Sequence, residues 1–398
     1  MKYVIILGDG MADEPIEVLG AKTPLQVANK PTIDDFAKKG EVGICKTIPD
    51  GMKPGSDTAN LSVLGYDPKI YYTGRSPLEA ASIGIDLSDT SVTLRANLVT
   101  LSSEEDYKDK TIIDYSSGEI TTAEAKQLIE YLAKHLNGEN YSLYSGVSYR
   151  HCLVVENGKT GANLTPPHDI TGKKILSYLP KGVNADFYLS LMQKSYDLLK
   201  DHPVNLERIK KGKKPANSLW FWGEGTKPNL DSFLGKFGIN GAMISAVDLL
   251  KGIAKLTGMK NLEVDGATGN YETNFLGKAK ACVDALNSGY DLVYLHMEAP
   301  DECGHQGDLE HKIYSIEQID MVTKYIADNI DGEFSLLIMP DHPTPIAIKT
   351  HSSTPVPYLI YRSNSEVNGV NSYDEETAKT TNIFIENGHE LILKFLDK

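Results

Sequence analysis

The chain has 398 residues, of which 41% are hydrophobic and 24% charged, and a formal net charge of −14. This length exceeds one ordinary domain and supports a large core, so a soluble protein of two domains is expected. The acidic balance argues against nucleic acid and against anionic membrane surfaces as partners, and it leaves the oligomeric state open. An anionic ligand would need local cations to offset that field, and bound metal ions would provide them. Four cysteines, Cys45, Cys152, Cys282 and Cys303, show no CxxC spacing, which fits a reducing, cytoplasmic setting. The opening apolar run is too short for a signal peptide, and no run reaches the length of a membrane span.

Taken in order, Tyr3–Leu7 reads as a buried strand. It ends at Gly8-Asp9-Gly10, a turn with a carboxylate at its apex. Positions 23–39 read as two helical pieces broken near Pro31. In Lys53-Pro54-Gly55-Ser56-Asp57-Thr58, Pro-Gly makes a turn and the residues after Ser56 start a helix. Ser56 is then either an N-cap or a nucleophile set where free N–H groups favour negative charge. A serine nucleophile needs a base or a metal to activate it, and no Ser-His-Asp triad is legible.

From Ser91 the texture changes to α+β. Thr93–Thr100 alternates like a half-exposed strand, and Thr121–Leu136 opens with a capping box. Tyr141–Arg150 and Cys152–Glu156 read as strands, and Leu189–Leu199 as a helix. Arg208, Lys210, Lys211, Lys213 and Lys214 read as an exposed, solvated hinge. Alternating strands and helices then resume. The strands are 218–222, 241–246, 292–296, 335–339 and 355–361, and the helix Val247–Leu256 carries Lys251. The expected fold is an α/β core of mainly parallel sheet flanked by helices, residues 1–90 and 213–398, with an inserted smaller α+β domain at 91–212.

The chemistry collects after two of those strands. Asp301 and His305 follow Leu292–Leu295, Asp341 and His342 follow Leu336–Met339, and His351 lies on the loop beyond. In open α/β sheets, sites form beyond the carboxyl ends of the strands. Carboxylate and imidazole donors together suit Zn²⁺, Mn²⁺ or Mg²⁺. Asp301 and His305 are four apart and share one face of a helical turn. Cys303, between them, is expected to pack beside the site.

Five motifs then stand in order: Gly-Asp-Gly-Met at 8–11, Pro-Gly-Ser-Asp-Thr-Ala-Asn at 54–60, Glu-Ala-Pro-Asp-Glu-Cys-Gly-His at 298–305, Pro-Asp-His-Pro-Thr-Pro at 340–345 and Thr-His-Ser at 350–352. In these the chain resembles, nearly end to end, the cofactor-independent phosphoglycerate mutases of the archaeal type, within the alkaline phosphatase superfamily. The resemblance implies an alkaline phosphatase-like core with two divalent ions. One would be held by Asp301, His305 and His351, the other by Asp9, Ser56, Asp341 and His342. It further implies a phosphorylated Ser56 and exchange between 2- and 3-phosphoglycerate without bisphosphoglycerate. The inserted domain would close over this small phosphorylated metabolite. Arg95 and Lys251 match substrate-binding positions.

One stretch departs from the pattern. Where such mutases carry Asp-Arg-Arg-Ala-Gly-Arg, this chain has Asp114-Tyr115-Ser116-Ser117-Gly118-Glu119, which leaves Arg150 and His151 as substitute substrate-binding cations. That segment is similar to a subgroup proposed to act as a homoserine kinase, in which Glu119 would face a substrate ammonium. No Walker-type loop is present, since Gly158-Lys159-Thr160 has Leu153 where the first glycine would stand. A non-catalytic, metal-dependent binding protein is the reading from a different class.

Overall fold

The apolar runs at Lys2–Gly8, Leu292–Met297 and Phe334–Met339 become strands buried on both faces, as a mainly parallel sheet covered by helices requires. The computed structural model describes Met1–Lys398 and divides them into two units, Met1–Tyr72 with Asn229–Lys398, and Thr73–Pro228. In the first unit an eight-stranded sheet runs in the order Lys260–Asn261, Gly241–Ile244, Leu292–Met297, Lys2–Gly8, Phe334–Met339, Val356–Arg362, Glu41–Cys45 and Phe384–Ile385. The first five strands are mutually parallel. Val356–Arg362 is antiparallel to both of its neighbours. Leu7 on the central strand lies opposite His296 and Met339, so three carboxyl ends finish at one level.

The helix Leu309–Asn329 shows how the sheet is covered. Ile316, Ile319, Val322 and Ile326 recur at three- and four-residue spacing, and all are buried in the core that contains Val4, Ile6, Leu336 and Ile338. No helix is long and apolar enough to cross a membrane.

The second unit has its own sheet, ordered Ile112–Asp114, Val92–Leu101, Arg150–Val155 and Tyr141–Tyr144, with Ser218–Thr226 also paired to Val92–Leu101. Its long strand, expected to be half-exposed, is buried along its whole length. The helices Thr122–Leu136 and Ala185–Leu199 share its core, and the Thr121 capping box forms as expected. The expected strand at 141–150 breaks after Tyr144 and resumes at Arg150.

The boundaries differ from those read in the sequence. The 218–222 run was expected in the core sheet, but Ser218–Thr226 pairs antiparallel with Val92–Leu101. Residues 73–82 join the same unit, because Thr73 Oγ1 donates to Thr226 O at 2.5 Å and Ser76 Oγ to Thr93 O at 2.9 Å. Arg208 was expected in an exposed hinge and is buried instead. Its guanidinium donates to Ser117 O (2.6 Å), Glu124 Oε2 (2.7 Å) and Lys214 O (2.9 Å), which ties a helix end to the 115–119 loop. Every polar arm of that side chain has a partner, which is the condition for burying a guanidinium.

In the first unit a buried network links distant loops. Lys312 Nζ donates to Asp13 Oδ2 and Thr344 O, both at 2.8 Å, and to Ala12 O at 3.3 Å. Glu375 accepts from Asp13 N (3.0 Å) and Thr23 Oγ1 (2.6 Å), and burial pushes its carboxyl up to about 7 from an ordinary 4.5. A raised folded-state value means that the folded protein binds this proton more tightly than the unfolded chain. The contribution to stability is full below pH 4.5 and is lost as pH rises to about 7, a difference of roughly 3 kcal/mol. Glu375→Gln should therefore flatten the pH dependence of urea unfolding between these values, and an unchanged slope would count against the assignment.

Candidate active site

Three buried carboxylates meet beyond the strand ends: Asp9, Asp301 and Asp341. Glycines let them approach. Gly10 has φ +63°, and a Cβ there would stand 2.6 Å from the Asp301 Cα. A Cβ on Gly304 would stand 2.4 Å from Thr344 O, so only glycine lets the Ala299–Gln306 helix lie against the 341–346 loop.

His305 Nε2 lies 3.4 Å from Asp301 Oδ2, His351 Nε2 lies 3.5 Å from Asp301 Oδ1, and the two Nε2 atoms are 2.9 Å apart. Donor atoms of a zinc-like ion, with bonds of about 2.1 Å, are separated by roughly 3.0–3.4 Å in octahedral or tetrahedral geometry. The group is thus close enough together to hold a divalent ion, one ligand atom from each residue lying within 4.8 Å of the others. His305 Nδ1 donates to Lys349 O at 3.0 Å, which turns Nε2 inward. The hydrogen bond with Asp301 raises His305 to about 9. Burial works to raise Asp301, but its hydrogen bonds from His305 and His351 hold it well below the usual carboxylate range.

The second group centres on His342 Nε2, 3.2 Å from Ser56 Oγ, 3.4 Å from Asp341 Oδ2 and 3.7 Å from Asp9 Oδ1. Proton counting fixes its tautomer. Thr344 Oγ1 spends its one proton on Asp301 Oδ1, so at 3.3 Å from His342 Nδ1 it accepts, and Nε2 carries the lone pair. Asp9, Asp301 and His342 each offer a ligand atom within 4.8 Å of the others, which makes Asp301 common to both groups. Asp9 Oδ1 is buried without a hydrogen-bond partner, which leaves that oxygen open to a cation. Burial, then the charges of Asp341 and Asp301, push Asp9 well above the carboxylate range. Asp341 is better supplied, accepting from His342 N (2.9 Å), Asn60 Nδ2 (2.9 Å) and Gly10 N (3.3 Å).

Ser56 is the first residue of the helix Ser56–Val63, and Gly55 occupies the N-cap without a side-chain cap bond. The serine hydroxyl is thus turned to His342 instead of capping its own helix.

The expected substrate residues are dispersed. On the second unit, Arg95 lies 4.1 Å over the Trp222 ring and 2.8 Å from Glu79 Oε2, and burial lowers its guanidinium to about 10. Glu79 also accepts from Arg75 Nε at 2.9 Å. Cross-strand register puts Arg95, Asn97 and Arg150 on one face of the sheet and His151 on the other. Burial lowers His151 to about 3, so it is neutral and supplies no cation. Glu119 is exposed. Lys251, on the first unit, pairs with Glu263 at 2.9 Å. Cys303 is buried beside the ligands, and all four cysteines are free.

Four contributors escaped the sequence reading: Asn60, Thr344, His296 and Lys312. Asn60 stands one helical turn after Ser56, a signal in plain view. It donates to Ser56 O and Asp341 Oδ2 and accepts from Tyr294 Oη at 2.5 Å.

Residues 37–205 match the family model described as 2,3-bisphosphoglycerate-independent phosphoglycerate mutase. A protein of that name from Methanosarcina barkeri is 48% identical over 98% of both chains. The chain belongs to this mutase family. A probable mutase of the same description from Geobacter sulfurreducens is 47% identical over the full length of both. Among solved structures, the cofactor-independent phosphoglycerate mutase of Thermoplasma acidophilum is similar with a TM-score of 0.66 and 27% identity, covering all of both chains. The PH0037 protein of Pyrococcus horikoshii gives 0.84 and 30% over 100% of this chain and 97% of that one. The α/β fold is thus that of a mutase-family enzyme.

Stripping divalent metal with a strong chelator should abolish activity and lower the melting temperature, because three close carboxylates lose their counter-charge. Mn²⁺, Zn²⁺ or Co²⁺ should restore both. Full activity in a sample shown by elemental analysis to be metal-free would refute the site.

Proposed function

We propose that the protein interconverts 2- and 3-phosphoglycerate through a phosphoserine at Ser56. The observation that carries this reading is the Ser56 hydroxyl itself. It opens a helix, leaves its capping role unused and points at His342 Nε2, 3.2 Å away, within a cluster of buried carboxylates and imidazoles. Helix N–H groups there favour an oxyanion and an approaching phosphate. The Ser56 Oγ–phosphorus bond forms as the phosphorus–oxygen bond to glycerate breaks. The other glycerate hydroxyl then reverses the displacement and frees Ser56. Two divalent cations, held by Asp301, His305 and His351 and by Asp9, Asp341, His342 and Ser56, would neutralise charge and acidify the serine hydroxyl when bound.

The second unit belongs to the proposal as the cap that retains glycerate between the two displacements and keeps water out. Its support is the face bearing Arg95 and Arg150, with Trp222 beneath the Arg95 guanidinium. Guanidinium groups suit a substrate with a carboxylate and a phosphate. Lys251, on the first unit, is proposed as a substrate-binding cation, with Glu263 as its partner here.

The arginine-free segment Tyr115–Glu119 favours a second reading, phosphoryl transfer to a small amino acid alcohol such as homoserine. The names of the 47–48% identical relatives weigh for the first. Phosphorus NMR of the enzyme with 3-phosphoglycerate, and separately with homoserine and ATP, distinguishes the two by product.

Ser56→Ala should lower turnover by roughly 10³-fold or more, since no other hydroxyl is placed for the transfer. Stability should change by no more than about 0.5 kcal/mol, because no cap is lost. Rapid-quench mass spectrometry of the unmodified enzyme should find phosphate on the Ser56 peptide. Near-normal turnover in the variant would replace the covalent route by direct transfer.

A further inference from the structure

We propose that His296 is a positioning residue that aims the Asp9 carboxylate, through a hydrogen-bond relay running across three neighbouring strands from Ser245. The proposal rests on the reading that Asp9 holds a cation. Ser245 directly follows the strand Gly241–Ile244, His296 lies in Leu292–Met297, and Asp9 follows Lys2–Gly8. These strands are consecutive in the sheet, so their carboxyl ends stand side by side. Ser245 Oγ is 3.2 Å from His296 Nδ1, and His296 Nε2 is 2.9 Å from Asp9 Oδ2. All three side chains are buried.

The direction of the relay follows from counting protons. Ser245 Oγ accepts from Val247 N at 3.0 Å, so its single hydrogen is free to go to His296 Nδ1. His296 Nε2 stands 2.9 Å from a carboxylate oxygen, which accepts, so the ring nitrogen facing it carries a hydrogen. A neutral ring carries one hydrogen, and with Nδ1 accepting, that hydrogen sits on Nε2. His296 therefore donates to Asp9 Oδ2. This saturates one oxygen and leaves Oδ1, the atom with no hydrogen-bond partner, as the one that Asp9 presents. A ring of the opposite tautomer would set a lone pair against Asp9 Oδ2 and turn the carboxylate away.

The relay predicts selectivity between the two ligand groups. His296 touches Asp9, whereas His305 and His351 are oriented by Asp301 and by the Lys349 carbonyl. Outer hydrogen-bond partners of metal ligands are typically worth about 10–100-fold in affinity.

The test uses the full chain in a His351→Ala background, so that Mn²⁺ calorimetry reports the Asp9 group. His296→Phe should weaken Mn²⁺ binding by about 10–100-fold. His296→Gln, which keeps an N–H donor at similar reach, should recover most of the loss. Ser245→Ala removes a single oxygen, keeps the test open should the Phe variant misfold, and should weaken binding by a smaller factor. Nitrogen-15 histidine NMR of the metal-free protein should show His296 protonated on Nε2, and Ser245→Ala should erode that preference. Parental affinity in both His296→Phe and Ser245→Ala, with binding abolished by Asp9→Asn, would overturn the relay while leaving the metal reading intact. Parental affinity in Asp9→Asn would overturn the metal reading and the relay together. An Nδ1-protonated His296 in the unmodified chain would overturn the relay alone.

Discussion

Like-charge crowding is the constraint around which the first unit is arranged. Asp9, Asp301 and Asp341 are buried at the ends of neighbouring strands, where each carboxylate raises the cost of ionising the next. The protein compensates them unequally. Asp341 receives two backbone N–H groups and an amide, Asp301 receives two imidazoles and a hydroxyl, and Asp9 receives one imidazole. The remaining deficit lies at Asp9 Oδ1, which has no hydrogen-bond partner. Lys312 sits behind the loops, not within them, and its ammonium is spent on Asp13 and two carbonyls.

This constraint explains why so much of the site was legible in the sequence. Side chains that carry charge or coordinate ions must stand at strand ends, and an apolar run followed by Asp or His marks such an end. Asp9, Asp341 and His342, together with Asp301 and His305 on the following helix, all obey that rule, and the glycines beside them record close backbone approach. What stayed hidden is the support. His296 interrupts an apolar strand without changing its look, and Lys312 sits in a helix whose pattern reads as ordinary amphipathic surface. Burial of such groups depends on partners hundreds of residues away, which no local pattern encodes.

The second unit was less legible, for a related physical reason. Its limits were read from a change of texture, but strand pairing decides membership, and Ser218–Thr226 pairs with Val92–Leu101 although its aromatic run would suit either sheet. Charge density misled at Arg208. A run of basic residues suggests solvent, yet one guanidinium of that run is sealed by Ser117 O, Glu124 and Lys214 O. Three successive residues beside that contact, Ser117, Gly118 and Glu119, have positive φ. A loop with this backbone needs an external brace, and the buried arginine provides one.

The placement of the first strand has a consequence for the order in which the molecule is made. Val4 is hydrogen-bonded in register between Val293 and Leu336, so the middle of the large sheet waits for nearly the whole chain to be synthesised. Thr73–Pro228, by contrast, is continuous and pairs its strands internally, so it can be complete on the ribosome while the apolar Lys2–Gly8 segment is still without neighbours. Ser56 and Asp9 precede most of the residues they touch, such as His296 and His342, and acquire those surroundings late. A nascent chain of this design carries an unpaired, aggregation-prone strand through most of its translation, and it is the final hundred or so residues that retire the hazard.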